Sequence, residues 1–502
     1  MKGVRNGAKM YAVDPRRTES AKWADVWLGI DIGSDIALAN TVAREIIHAG
    51  LTNQEFIDHS TSGFEAFAES VEPWTLERGE EVTGVPASAI RQLAHDYATA
   101  DSAQLCWTLG ITEHHNATDN VISLINLSLL TGHVGRYGSG LVPIRGQNNV
   151  QGGGDMGALP NKLPGFQDVT DDDHRGKFEA VWGVDVPAEP GWHVTEMFDA
   201  MERGDITAMY VIGENPAQSE ADSKRTINLL EGLDFLVVQD MFLTKTAALA
   251  DVVFPAAAGW AETDGTATSS ERRVQLMHKA LEPPGEAKDD LEILCLLAEA
   301  MGHPWGVPTA EEVWDELRSL SPMHGGMSYA RLEEHKGLQW PCPDEDHPGT
   351  LFLHSWLWEE PMQRDPAPFF TVEWAPPIDA LSDDFPMRLT TGRRLDGYNT
   401  GVQSGGYRSP LATGGVIDID PLDGSRLGVA DGDTVRVFSR RGSIDVVAKY
   451  RDGLRPGLAF MAIHWPDEAD VNTLTLDAWD PKSGTAEFKA TAVRIEALVG
   501  AR

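Results

Sequence analysis

Cysteine is scarce in these 502 residues, and Cys106, Cys295 and Cys342 stand far apart. That isolation excludes a disulfide framework, a paired-cysteine zinc site and an iron–sulfur run of the CxxCxxxC kind within this chain. Each thiol is expected to be buried. No uncharged apolar run approaches the roughly 18 residues needed to cross a bilayer. The opening MKGVRNGAKMYAVDP lacks the apolar stretch of a secretory signal, so the expected location is cytoplasmic. Positive charge is in short supply, with 41 Lys and Arg against 77 Asp and Glu, a net of −36. A field of that sign argues against nucleic acid and against insertion into or attraction to an anionic membrane. It also repels small anions, so an anionic substrate would need a local Arg or Lys. The GxSxG elbow, HExxH and the P-loop are missing too.

What is present is an ordinary globular composition, 42 % hydrophobic and 24 % charged, long enough for several domains. MKGVRNG reads as the last turns of a helix, with Gly7 at the left-handed cap position and the strand AKMYAV after it. A strand entered in this way belongs to a βαβ unit whose first strand is missing, so the chain is expected to begin inside a domain. Helical spacing follows over 31–50, with Ala37, Leu38, Val42, Ile46 and Ile47 on one stripe, and again over 86–99 and 117–131. Residues 144–168 read as loop, broken by Pro160 and Pro164. Strands are expected at Ala208–Ile212, Asp234–Val238 and 251–254, with helices within 219–232 and 244–249, a doubly wound parallel pattern. From Pro386 onward short strands and turns, including a hairpin turning at Arg440–Gly442, predict a closed barrel-like β domain. The fold class is therefore α/β: Rossmann-like α/β domains followed by a C-terminal barrel-like domain. The expected boundaries are 1–147, 148–375 and 376–502.

Three stretches carry candidate chemistry. IRGQNNVQGGGDMG (144–157) surrounds the single Arg145 with glycines and side-chain amides. An arginine in such a loop binds a carboxylate bidentately, or else forms a structural salt bridge. Gly152, Gly154 and Gly157 satisfy GxGxxG, but no strand precedes them and Pro160 obstructs the helix, so a dinucleotide fingerprint is rejected. GENP (213–216) and QDMFLTKT (239–246) fall at strand ends, where backbone N–H groups and short polar side chains suit a nucleotide or simply cap the strands. Asp14 ends a strand similarly and could accept from a ribose or a guanine edge. His114 and His115 are adjacent, diverge in a helix or strand, and are expected to be structural. Asp171–Asp173 reads as a solvated helix start rather than a metal site.

Together these residues become recognisable. RGQNNVQG (145–152) with DMGALPN (155–161) closely resembles the molybdopterin-dependent formate dehydrogenases of the dimethyl-sulfoxide-reductase superfamily. The resemblance extends through VDPR (13–16), GSD (33–35), TDN (118–120), LLTGHVGRYGSG (129–140), GENP, QDMFLTKTAALADVVFP, TTGRR (390–394), LGVADGDTVRV and EFKATAVRIE. It implies two molybdopterin guanine dinucleotides holding one molybdenum or tungsten, with Arg145 in the place of the arginine that orients formate. Asp14, Arg16, Gly33 and Asp35 would contact one dinucleotide. Gly213, Glu214, Asn215, Gln239, Asp240, Thr244 and Asp251 would contact the other. Thr391, Gly392, Arg393, Tyr398 and Thr400 would cap both, and Gly110, Asn472 and Lys489 would add cofactor contacts. Formate oxidation to CO₂ would send electrons to iron–sulfur or flavin partner subunits and an acceptor such as NAD⁺. The alternatives are a relative acting on another small anion such as nitrate, or a non-catalytic cofactor-binding chain.

The sequence departs from the family in three places. RRLDGYNTG lacks the histidines that many relatives carry before their TG, and ITEHH has Glu113 where a glutamine is common. The family's N-terminal 4Fe–4S domain, and the cysteine or selenocysteine that ligates the metal, match nothing here. The resemblance thus implies the C-terminal part of a catalytic subunit, with no metal ligand of its own.

Overall fold

The computed structural model describes residues 2–259, 261–361, 363–395, 397–401 and 414–498. Two compact units interleave along the chain: Met1–Val142 with Gln218–Thr226 and His354–Arg502, and Pro143–Ala217 with Ile227–Leu353. No helix of the described residues is long and apolar enough to cross a membrane.

In the first unit the helix Lys2–Arg5 ends at Gly7 (φ 98°), and the strand Tyr11–Val13 pairs in parallel with Val26–Leu28. The helix Asp35–His48 is buried on more than the expected stripe: Ile36 through Ala43 are all covered. Ala87–Ala98 and Ala117–Thr131 pack against it, as does Leu76–Thr83. Close approach requires a glycine there, because a Cβ on Gly79 would lie 2.5 Å from the Thr41 hydroxyl. Ile46, Ile90, Leu130 and Phe67 are fully buried in this helical core. Each such side chain contributes about 1.5–3 kcal/mol.

The same unit carries the expected barrel, and it is closed. Its order is Met387–Gly392, Leu458–Ala462, Val416–Ile419, Ser443–Tyr450, Thr434–Phe438, Thr491–Ala497, returning to the first strand. Alternation builds its interior: Val435 and Val437 point inward with Leu389, Ile417, Ile419 and Ile495. Arg436 faces Asp445 across the hairpin.

In the second unit Ala208–Ile212, Phe235–Asp240 and Val252–Pro255 form a parallel sheet with Phe235–Asp240 central. Leu230, Leu236, Val238 and Ala247 fill its core. A second sheet runs antiparallel through Gly265–Thr268, Arg273–Met277 and Leu338–Gln339. Its core holds Val274, Trp314, Met327 and Trp340.

Three local expectations are corrected. Residues 144–168 are not all loop: Val150–Asp155 is a helix whose three glycines hid the pairing of Gln151 with Asp155 one turn apart. The helix expected at 244–249 is only a 3₁₀ turn, Ala247–Leu249, with the Thr244 hydroxyl accepting the Ala247 N–H at its start. Cys106 is exposed, since the alternation of Gln104–Trp107 turns it outward, while Cys295 and Cys342 are buried.

Candidate functional site

The second unit presents Arg145 in an exposed loop held at several points. Its backbone N–H donates to Ser270 Oγ at 3.1 Å, and its Nε donates to Gln151 Oε1 at 3.1 Å. Asn149, at φ 61°, accepts the Thr268 N–H at 2.8 Å and ties the same loop to the antiparallel sheet. Among the described residues no carboxylate pairs with the Arg145 guanidinium. The salt-bridge alternative is therefore not realised there.

At the carboxyl ends of the parallel strands the sheet gathers Gly213, Glu214, Asn215, Gln239 and Asp240. Gly213 (φ 65°) donates to Gln239 O at 2.8 Å, and a Cβ on it would meet nothing within 4 Å, so the loop opens outward. Burial pushes the Glu214 and Asp240 carboxyls up, and Glu214 also feels the charge of Asp240. Other members serve the loop itself. Asn215 accepts from Thr246 N–H and Oγ, Gln239 reaches Tyr210 and Asp290, and Asp251 accepts the Leu236 N–H.

In the first unit, side chains from four sequence regions converge. The Arg16 guanidinium lies 3.7 Å from the Phe460 ring centroid, a cation–π geometry. The Arg16 backbone N–H, not the guanidinium, donates to Asp14 Oδ1 at 2.8 Å. Burial pushes Asp14 up against the pull of Arg16 and Lys489, and Asp35, at the start of its helix, is also raised by burial. Lys489 donates to Thr391 O at 3.1 Å and pairs with Glu113 at 2.6 Å, while the Thr391 hydroxyl donates to Phe488 O. Gly392 lets Phe460 and Arg16 pack closely, since a Cβ there would sit 3.2 Å from the ring and 3.4 Å from the guanidinium.

His114 and His115 do not diverge. They lie in neither helix nor strand, and both Nδ1 atoms face Glu487 Oε2, at 3.3 and 3.4 Å. The His114 nitrogen is off the axis of a hydrogen bond, so that contact is electrostatic. Glu487 also accepts the N–H groups of His115, Lys489 and Ala490, each at 3.0 Å. Burial raises this carboxyl, but His114, His115 and the amides outweigh it and hold it far below the ordinary range.

Other expected residues stand apart from this convergence. Arg393 donates to Asn399, Thr400 O accepts from Gln218, and Tyr398 is exposed. Asn472 donates to the carbonyls of Gln218 and Ser219, Gly110 has open space around it, and Gly33 (φ 78°) lies against Pro377. Asp171 caps its helix by accepting the His174 N–H, and no metal-holding group of His, Cys, Asp or Glu occurs among the described residues. Sequence reasoning missed Gln151, Asp155, Trp340, Glu487 and Phe460. Only the first two left a local signal, the four-residue spacing inside the glycine run.

The open loops at the carboxyl ends of the parallel strands are where α/β sheets of this kind take nucleotide-bearing ligands. A family model described as "Molybdopterin oxidoreductase" matches residues 1–300, and one described as "Molydopterin dinucleotide binding domain" matches 387–492. The chain belongs to the molybdopterin oxidoreductase family. It is 40 % identical to the F420-dependent formate dehydrogenase 2 subunit alpha of Methanococcus maripaludis, over 99 % of this chain and 73 % of that protein. It is 38 % identical to formate dehydrogenase H of Escherichia coli, over 99 % of this chain and 70 % of that one. Among solved structures, acetylene hydratase from Pelobacter acetylenicus shares the fold, with TM-score 0.74 at 21 % identity over 99 % of this chain and 75 % of the other.

The residues fit such a cofactor. Arg16, half-buried on an aromatic ring, makes no ion pair among the described residues, although Asp14 and Asp418 act on its charge, and so suits an anionic group.

Proposed function

We propose that the chain is the substrate-orienting, dinucleotide-binding part of a formate-oxidising enzyme. The observation that carries this reading is Arg145, whose guanidinium is fixed on one edge by Gln151 and lacks a carboxylate partner among the described residues. Its free edge matches the two oxygens of formate, and contact at this range is far less screened than the −36 surface charge that would repel the anion. Formate loses two electrons and a proton to give CO₂. When bound, a molybdenum or tungsten bis-(molybdopterin guanine dinucleotide) supplies the two-electron redox change.

The chain's residues bind and orient. Asp14, Arg16, Gly33 and Asp35 take one dinucleotide; Gly213, Glu214, Asn215, Gln239, Asp240, Thr244 and Asp251 take the other. Thr391, Gly392, Arg393, Tyr398 and Thr400 cap them, with Gly110, Asn472 and Lys489 in support. Electrons leave to separate iron–sulfur or flavin subunits, and the iron–sulfur cluster is held outside these 502 residues, whose three cysteines are isolated.

Arg145→Lys in the assembled enzyme tests the reading. Losing the bidentate contact raises the KM for formate about 10–100-fold and lowers kcat. Unchanged kinetics would make Arg145 structural, and nitrate-dependent oxidation of a reduced dye without formate-dependent dye reduction would move the substrate to nitrate.

A further inference from the structure

Behind Arg145 a chain of side chains runs into the core of the second unit. Arg145 Nε donates to Gln151 Oε1 at 3.1 Å, Gln151 Nε2 donates to Asp155 Oδ1 at 2.8 Å, and Trp340 Nε1 donates to Asp155 Oδ2 at 2.8 Å. Gln151, Asp155 and Trp340 are buried, whereas the Arg145 loop is exposed. The helix that carries Gln151 and Asp155 approaches its own cap so closely that a Cβ on Gly152 would fall 2.0 Å from Asn149 Oδ1. Asn149 in turn holds the Thr268 N–H, so the base of the chain is anchored independently of Arg145.

Asp155 sets the direction of every bond in this chain. An ionised carboxylate only accepts, so it takes the Gln151 amide N–H on one oxygen and the indole N–H on the other. With Nε2 turned inward, Gln151 Oε1 faces outward and meets Arg145 Nε. The guanidinium is thereby held by one edge, and its terminal N–H groups stay available for a planar anion.

We propose that Gln151 and Asp155 are positioning residues that fix the plane and the free edge of Arg145 for its anionic substrate, with Trp340 closing the second oxygen of Asp155. The proposal rests on the reading of Arg145 as the substrate arginine. A protonated Asp155 has an O–H to donate, which allows the Gln151 amide to reverse and set its NH₂ against Arg145 Nε–H, donor to donor. Burial pushes Asp155 up to about 6, against the hydrogen bonds of Gln151 and Trp340 and the charge of Arg145. The pair therefore releases Arg145 as pH falls through about 6.

Two measurements test this. In the full ¹⁵N-labelled chain, the Trp340 indole N–H and Arg145 Nε–H resonances are assigned with Trp340→Phe and Arg145→Lys and followed with pH. Both are expected to move with one midpoint near 6. In Gln151→Met the Arg145 signal stops titrating and exchanges faster with solvent, while the Trp340 signal still titrates and reports an intact fold. In the assembled enzyme Gln151→Met raises the KM for formate about tenfold with a smaller change in kcat. The exchanged pair Gln151→Glu/Asp155→Asn restores the geometry, bringing KM back to within about threefold while removing the acid limb of kcat/KM.

An Arg145 signal that titrates in Gln151→Met as in the wild type, or an unchanged KM beside a normal Trp340 signal, overturns the proposal. The resonance titration needs no substrate. Coupling without formate oxidation would sink the formate reading alone, and formate oxidation without coupling would sink the positioning pair alone.

Discussion

Glu487 in the first unit and Asp155 in the second are both buried carboxylates that accept hydrogen bonds on both oxygens, yet their charge states move in opposite directions. Glu487 is held far below its ordinary range; Asp155 is pushed up to about 6. Burial acts on both in the same sense. The partners differ: Glu487 faces two imidazoles and three backbone N–H groups, whereas Asp155 has a neutral amide, a neutral indole and one arginine acting only through its charge. Neutral donors satisfy a buried carboxylate without fully offsetting its desolvation, while the charge of a close His114 and several hydrogen bonds more than offset it. One arrangement is built to stay ionised and the other to titrate.

The largest effect expected is for Glu487→Gln, which leaves His114 beside a neutral amide and breaks a buried pair. The loss is about 3–5 kcal/mol of unfolding free energy, read by urea denaturation at neutral pH. Acid should reveal the same contact in the wild type. The Glu487 pKa is depressed below 4.5, so its stabilisation is complete above that pH and fades as pH falls. His114 is raised above 6.5, so its share is complete below that value and fades as pH rises through the raised pKa. A Glu487→Gln protein as stable as wild type at pH 5–6 would erase the contrast between the two carboxylates.

Next is Asp155→Asn, followed from pH 4 to 8. The folded-state pKa rises from 3.8 to about 6, so folding favours the protonated form, and wild-type stability is lost as pH climbs through that interval. Two pH units at about 1.4 kcal/mol each make the stability gap between wild type and variant change by about 3 kcal/mol, with wild type relatively stronger at low pH. A gap independent of pH would put Asp155 in the same class as Glu487.

The smallest effect calibrates the other two. Asp445 makes a bidentate contact with Arg436 across the barrel hairpin, at 2.6 and 2.7 Å, but in the open. Asp445→Asn should leave the melting temperature at physiological salt unchanged within error, because exposed pairs are screened. A marked drop would show that geometry matters more here than burial.

Much of the fold could be read from one-dimensional pattern. Alternating Val435 and Val437 announced a barrel strand, Ala208–Ile212 stands where its apolar run predicts, and Ala117–Thr131 fills the expected 117–131, with Gly132 at φ 68° capping it. A Cβ at Gly132 would also press on Asn53 and Trp358, a constraint that the local sequence does not contain. The site was less legible. Arg145 stood out by its glycine and amide surroundings, but the helix behind it did not, because three consecutive glycines erase the apolar periodicity by which helices are recognised.

The sequence by itself determined the elements and the resemblance, since both are written in spacings of a few residues: periods of 2 and 3.6, caps, and contiguous motifs such as RGQNNVQG. Only the tertiary structure decided the charge states. His115 and Glu487 are 372 residues apart, and Asp155 and Trp340 are 185 apart. The pKa of a buried acid depends on how much water is excluded and on which donors point at it, and the fold brings both from distant parts of the chain.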